Sequence, residues 1–156
     1  MLTIFLGAPG SGKGTISEIL ANENGFTHIS TGDIFRNLIR SKTPLGIKLK
    51  DLIESGHLVD DETTWEVAKS KLQDMDLNEK IILDGYPRNI LQAQYLRDYL
   101  KSINFSDVKI IYYEAPREII VQRLSGRLMC PVCGKSYHKT NFKPLVEGQC
   151  DNNDEL

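Results

Sequence analysis

The stretch Gly7-Ala8-Pro9-Gly10-Ser11-Gly12-Lys13-Gly14-Thr15 constrains this chain more than any other. It follows the apolar run Leu2-Thr3-Ile4-Phe5-Leu6 and precedes a helical pattern with Ile16, Ile19 and Leu20 at i, i+3 and i+4. A glycine-rich loop between a buried strand and a helix is built to hold phosphate. The glycines let successive backbone N–H groups turn inward around an anion. The helix adds its unpaired amides and the positive end of its dipole. Lys13 brings a full charge to the outer phosphates, and a hydroxyl close behind it is a Mg2+ ligand. The general pattern has that hydroxyl directly after the lysine; here Gly14 intervenes and Thr15 carries it.

The rest of the chain alternates between two periods. Residues 2–6, 27–30, 80–84 and 108–113 read as strands, with residues 2–6 and Ile81-Ile82-Leu83 buried and Val108–Tyr113 another apolar strand. Residues 13–23, 61–74, 89–101 and 116–127 read as helices. The expected core faces are Trp65, Ala68 and Leu72 on one and Leu91, Tyr95 and Tyr99 on another. Residues 31–59 read as short helical pieces broken at Gly46 and Gly56. This alternation predicts an α/β fold, a parallel sheet flanked by helices on both faces. Ligands of such sheets bind beyond the carboxyl ends of the strands. The glycine loop, Ser30-Thr31-Gly32-Asp33, Asp84-Gly85-Tyr86-Pro87-Arg88 and the segment after Tyr113 all fall there.

At 156 residues the chain suits one domain with a real core. Its net charge of −2 offers no global attraction to nucleic acid or an anionic membrane. No apolar run reaches bilayer length, and the N-terminus lacks a secretory layout, so the expected compartment is the cytoplasm. All three cysteines, Cys130, Cys133 and Cys150, lie in one stretch. An odd number in such a chain argues for a metal site over a disulfide framework. Cys130-Pro131-Val132-Cys133-Gly134 has the form of a metal knuckle, with Cys150 closing from a second turn; the alternative is three free thiols. Asp84, ending an apolar strand, reads either as a cap or, better, as the acidic group that organises Mg2+ through water.

The G-x-P-G-x-G-K-G-T form of the loop, the D-G-x-P-R…Q motif ending at Gln92, and the S-T-G-D…R motif ending at Arg36 together resemble the adenylate kinase family. The resemblance implies reversible phosphoryl transfer from Mg·ATP to AMP, giving two ADP. It implies that Gly10, Ser11, Gly12, Lys13, Gly14 and Thr15 bind ATP, with Arg123 near its base and Arg127 on the transferring phosphates. Arg36 and Arg88 would clamp the AMP phosphate, because two like-charged phosphates must be neutralised to meet in line. Thr31, Gly85 and Gln92 would meet the adenine. Lys13, Arg36, Asp84, Arg88 and Arg127 form the expected catalytic set. Glu54–Asp61 resembles the family's G-x-L-V-P-D stretch, so His57, Leu58 and Val59 would border the AMP base through their backbone, His57 itself reading as a surface residue. Asp60 stands where proline is usual and reads as a helix N-cap. Arg123 and Arg127, four apart, are expected on one face of the 116–127 helix.

The same resemblance divides the chain into a core (1–30 and 60–127), an AMP-binding insertion (31–59) and a lid (128–156) stapled by Zn2+. The fourth zinc ligand falls at Asn153, a poor donor; Asp151 or Asp154 are substitutes, and His138 is an outside candidate in the lid strand Ser136-Tyr137-His138. Family members continue with further arginines, a strand beside Val108–Tyr113 and a closing helix. The expectation for this length is therefore an incomplete ATP side, an unprotected sheet edge, weak or absent turnover and poor stability. A monomer is the family default. Three rivals follow: a UMP or CMP kinase, a non-catalytic nucleotide-binding fragment, and a zinc-ribbon nucleic-acid binder using Lys135, Lys139, Lys143, Tyr137 and Phe142. The acidic balance and the glycine loop speak against the last.

Overall fold

The computed structural model describes residues 1–41, 43–55 and 59–152. Gly56, His57, Leu58, Asn153 and Asp154 lie outside them. The chain forms two compact units, Met1–Gly7 with Gly12–Tyr113, and Ala8–Ser11 with the chain from Glu114 onward.

The first unit is built on a parallel sheet of β1 (Leu2–Gly7), β2 (Thr27–Ser30), β3 (Ile81–Asp84) and β4 (Val108–Tyr113), in the order β2-β3-β1-β4. Leu2 pairs with Ile81 and Val108, and Ser30 with Asp84. Because strand side chains alternate, Leu2, Ile4, Ile29, Ile81 and Leu83 share one face. They pack with Trp65, Ala68 and Leu72 of α4 (Asp61–Gln73) and with Leu96 and Leu100 of α5 (Ile90–Ser102). The same register assigns His28, Ile82 and Asp84 to the opposite face, and α1 (Lys13–Asn24) packs against β1, β2 and β3.

Four details differ from the sequence expectation. Residues 31–59 hold two helices, α2 (Thr31–Arg40) and α3 (Pro44–Glu54), and Gly46 lies inside α3 instead of breaking it. A Cβ at Gly46 would stand 2.0 Å from the Leu38 carbonyl oxygen, so glycine serves the close approach of α2 and α3. The α5 core stripe is offset by one residue: Gln92, Leu96 and Leu100 are buried, whereas Leu91 is exposed. Tyr95 and Tyr99 sit at the border, against the Trp65 ring. In α1 the buried residue is Ser17, whose hydroxyl donates to the Lys13 carbonyl at 2.9 Å, while Ile16 and Ile19 are exposed. Finally, β4 is an edge strand among the described residues, as expected, but the cover predicted on both faces of the sheet is incomplete there, and Ile110 (64 %) and Tyr112 (67 %) are open to solvent.

The second unit holds α6 (Arg117–Ser125) and an antiparallel pair, β5 (Arg127–Met129) and β6 (Ser136–His138). Cys130, Tyr137 and Cys150 form its small core with Leu128. The helix stops at Ser125, so Arg127 opens β5 and shares no helix face with Arg123. A Cβ at Gly126 would lie 2.3 Å from His138 Nε2; the turn that ends α6 is packed too tightly for a side chain. Among the described residues, no helix is long and apolar enough to cross a membrane.

Candidate active site

Three strand ends of the first unit converge. The β2–β3 register sets Ser30 beside Asp84 and brings the next residues, Thr31 and Gly85, into contact. Thr31 is fully buried, and its hydroxyl donates to the Gly85 carbonyl at 2.9 Å. The same carbonyl accepts Arg88 Nε at 2.7 Å. Gly85 has φ +78°, and a Cβ there would stand 3.0 Å from Thr31 Oγ1 and 3.4 Å from Arg88 Nη2. Only glycine meets both conditions. Arg36, one turn into α2, pairs through Nη2 with Asp33 Oδ1. Its Nε is buried with no hydrogen-bond partner among the described residues. Ser30 caps α2 by accepting from the Asp33 amide.

Lys13 begins α1 and donates from Nζ to the Gly7 carbonyl at 2.6 Å. Burial lowers its ammonium pKa from the ordinary lysine value; nearby Asp84 opposes the shift and Arg88 adds to it. Lys13, Asp84 and Arg88 thus share one electrostatic neighbourhood. Asp84 ends β3 with its carboxylate mostly shielded, Oδ2 lying 3.5 Å from Nε2 of His28. Gly14 presents no side chain to it; a Cβ there would lie 3.8 Å from Oδ2. The hard carboxylate oxygen, the bare Gly14 and the exposed Thr15 suit a Mg2+ ion with its water shell. His28 had no signal in the sequence, because only the sheet register aligns it with Asp84.

Gln92 is 4 % exposed and held at both ends of its amide. Oε1 accepts from the Arg88 backbone N–H at 2.8 Å, and Nε2 donates to Asp61 Oδ1 at 2.6 Å. Asn89 caps α5 by accepting from the Gln92 amide at 2.9 Å, and its own Nδ2 donates to the same Asp61 oxygen at 2.8 Å. Asp60 caps α4, accepting from the Thr63 amide at 2.7 Å and the Thr63 hydroxyl at 2.8 Å. The N-cap expected at Asp60 is therefore present. Asp61 and Asn89 escaped sequence reasoning; the one hint was a second aspartate where a single cap suffices. Val59 is half-buried, and the candidates His57 and Leu58 lie outside the described residues.

In the second unit, Arg123 Nη1 donates to the carbonyls of Gly10 and Ser11, each at 3.2 Å. This guanidinium fixes the shape of the loop segment before Gly12. Arg127 Nη2 donates to Ser136 Oγ at 2.7 Å, a bond across the β5–β6 pair. The three cysteines are unbridged, and their sulfurs lie within 4.8 Å of one another, Cys133 and Cys150 at 3.5 Å. The Tyr137 hydroxyl lies 3.4 Å from Cys150 Sγ. Three convergent soft donors fit a thiophilic metal such as Zn2+. Of the fourth-ligand candidates, Asp151 is engaged by Lys135 Nζ at 3.0 Å and the Leu145 amide at 2.8 Å. His138 Nδ1 accepts from the amides of Thr140 and Asn141, both at 3.2 Å. Neither joins the sulfur cluster among the described residues. Asn153 and Asp154 lie outside them.

Residues 5–156 match the family described as adenylate kinase. An adenylate kinase of Thermotoga petrophila is 44 % identical over 149 residues, covering 95 % of this chain and 68 % of the relative. One from Mesoplasma florum is 46 % identical over 152 residues, covering 97 % and 71 %. One from Clostridium botulinum is 44 % identical over 151 residues, covering 97 % and 70 %.

Proposed function

Because the chain belongs to the adenylate kinase family, we infer that it catalyses reversible phosphoryl transfer between ATP and AMP, giving two ADP. The observation that carries this reading is the junction at Gly85. There the Ser30–Asp33 and Asp84–Arg88 loops meet, in the electrostatic neighbourhood of Lys13.

Phosphoryl transfer needs little covalent help from the protein; it needs alignment and charge neutralisation. In this reading Gly10, Ser11, Gly12, Gly14 and Thr15 hold the ATP phosphates with Lys13. Mg2+ entering with ATP supplies charge neutralisation across its phosphates. Asp84, through water, and Thr15 hold that ion. Arg36 and Arg88 clamp the AMP phosphate, while Thr31, Gly85, Gln92 and the backbone of residues 57–59 border its base. By motif position, Arg123 belongs to the ATP base and Arg127 to the transferring phosphates. Residues 1–30 and 60–127 act as core, 31–59 as AMP insertion and 128–156 as lid. Zn2+ on Cys130, Cys133 and Cys150 is the structural staple of that lid, with its fourth ligand left open among Asn153, Asp151 and Asp154. In this reading the protein is a monomer, the family default, acting on free nucleotides in the cytoplasm, and its net charge of −2 offers no general attraction to nucleic acid or an anionic membrane.

The test mixes the protein with ATP, AMP and Mg2+ and measures ADP. ADP formation is expected to depend on AMP, with UMP and CMP as poor acceptors. Lys13→Ala is expected to lower kcat by about a hundredfold or more, with the unfolding midpoint little changed. Wild-type turnover in Lys13→Ala would refute the phosphate-loop assignment.

A further inference from the structure

We propose that Asp61 is the residue that sets the purine specificity of the acceptor site, by fixing which way round the Gln92 amide faces. The argument is one of donors and acceptors. A carboxamide has two acceptor positions on oxygen and two N–H donors on nitrogen. The Gln92 oxygen takes the Arg88 backbone N–H, which can only donate. The Gln92 nitrogen gives one N–H to the Asp61 carboxylate, which can only accept. With both partners of one polarity, a single orientation of the amide is allowed. Turning it over would set N–H against N–H and oxygen against carboxylate in a buried place, where each mismatch is costly.

What remains on Gln92 is one lone pair and one N–H. Adenine offers the complement, an N6–H donor beside the N1 acceptor. Hypoxanthine and guanine offer the reverse, an N1–H donor beside the O6 acceptor. An amide locked in the observed sense matches AMP and mismatches IMP and GMP. Asp61 Oδ1 also takes Asn89 Nδ2 at 2.8 Å, and Asn89 caps the helix that carries Gln92, so one oxygen secures both the reader and its support. Asp61 is thus a positioning residue. Its role rests on the reading of Gln92 as a contact to the base.

The experiment measures kcat and KM for AMP and IMP, and KM for ATP, in wild type and in Asp61→Asn, Asp61→Glu and Gln92→Leu. Emission from Trp65, the only tryptophan and on the same helix as Asp61, verifies the fold of each. Asparagine can either donate or accept, so Asp61→Asn removes one of the two partners of fixed polarity and leaves only the Arg88 N–H to orient the amide. It is expected to lower the preference for AMP over IMP by about tenfold, with KM for ATP unchanged. Asp61→Glu keeps a group that only accepts and is expected to retain most of the preference. A wild-type AMP/IMP ratio in Asp61→Asn would overturn the proposal. So would equal losses in Asp61→Asn and Asp61→Glu, or a loss shared equally by AMP, IMP and ATP. Gln92→Leu separates the two levels: an unaltered AMP/IMP ratio there would remove Gln92 as a base contact, and with it the premise.

Discussion

Gly85 carries two jobs that no other residue type combines. Its carbonyl accepts both the Thr31 hydroxyl and Arg88 Nε, and its φ of +78° lies in the left-handed region that favours glycine. Gly85→Ala is expected to cost about 1–2 kcal/mol from the left-handed backbone alone. The added methyl, 3.0 Å from Thr31 Oγ1, also has to push that hydroxyl away. Urea unfolding is expected to show the stability loss, and KM for AMP is expected to rise more than KM for ATP. At this scale the sequence was readable where a residue acts through its near neighbours. Asp60 accepts from Thr63 three residues on, so its capping role followed from local pattern. Asp61, by contrast, meets Gln92 across 31 residues of chain, and His28 meets Asp84 across two strands, so neither role had a local signature.

Among the elements, α4 illustrates how a cap translates into stability and pH dependence. The Thr63 amide, then the Thr63 hydroxyl, hold the Asp60 carboxyl below the usual carboxylate range. A lowered folded-state pKa means that the folded protein binds fewer protons than the unfolded chain at moderately acid pH. The contribution is therefore full above the unfolded value, about 3.9, and is lost as pH falls through the lower folded value. Asp60→Ala is expected to destabilise the protein by about 1 kcal/mol at neutral pH. Thermal unfolding of wild type and variant should converge as the medium is acidified past that range; a constant gap would mean that the carboxylate is not the cap. The elements themselves were largely legible, because α4, β1 and β3 each carry a clear apolar pattern. The misread ones share a feature. The helix expected to run to residue 127 stops at Ser125, where Gly126 lies against the His138 ring, and α3 runs through Gly46, whose missing side chain leaves room for the Leu38 carbonyl of α2.

For the molecule as a whole, the two units rest on different kinds of cohesion. The first has a layered apolar core around Trp65, Leu83 and Leu96. Among its described residues the second buries little more than Cys130, Tyr137, Cys150 and Leu128, a small apolar core that the proposed metal on the thiols would reinforce. A strong chelator is expected to change the tyrosine near-ultraviolet dichroism and to make all three thiols reactive to a disulfide reagent. Trp65 emission, which belongs to the first unit, should stay constant. Simultaneous loss of the Trp65 signal would show that the units depend on one metal together.

The strand–loop–helix signature of residues 2–20, the strand-end motifs and the cysteine knuckle were all present in the linear chain, since each is a short segment whose chemistry is decided by its own spacing. From them came the parallel α/β sheet, the family, and the residues that gather at Gly85. Folding in three dimensions settled what spacing cannot encode: that Ile110 and Tyr112 of β4 are open to solvent, that Arg127 lies in a strand, and that Asp61 clamps Gln92. Each of these depends on which distant segment arrives beside a residue, and that is set by the packing of whole elements.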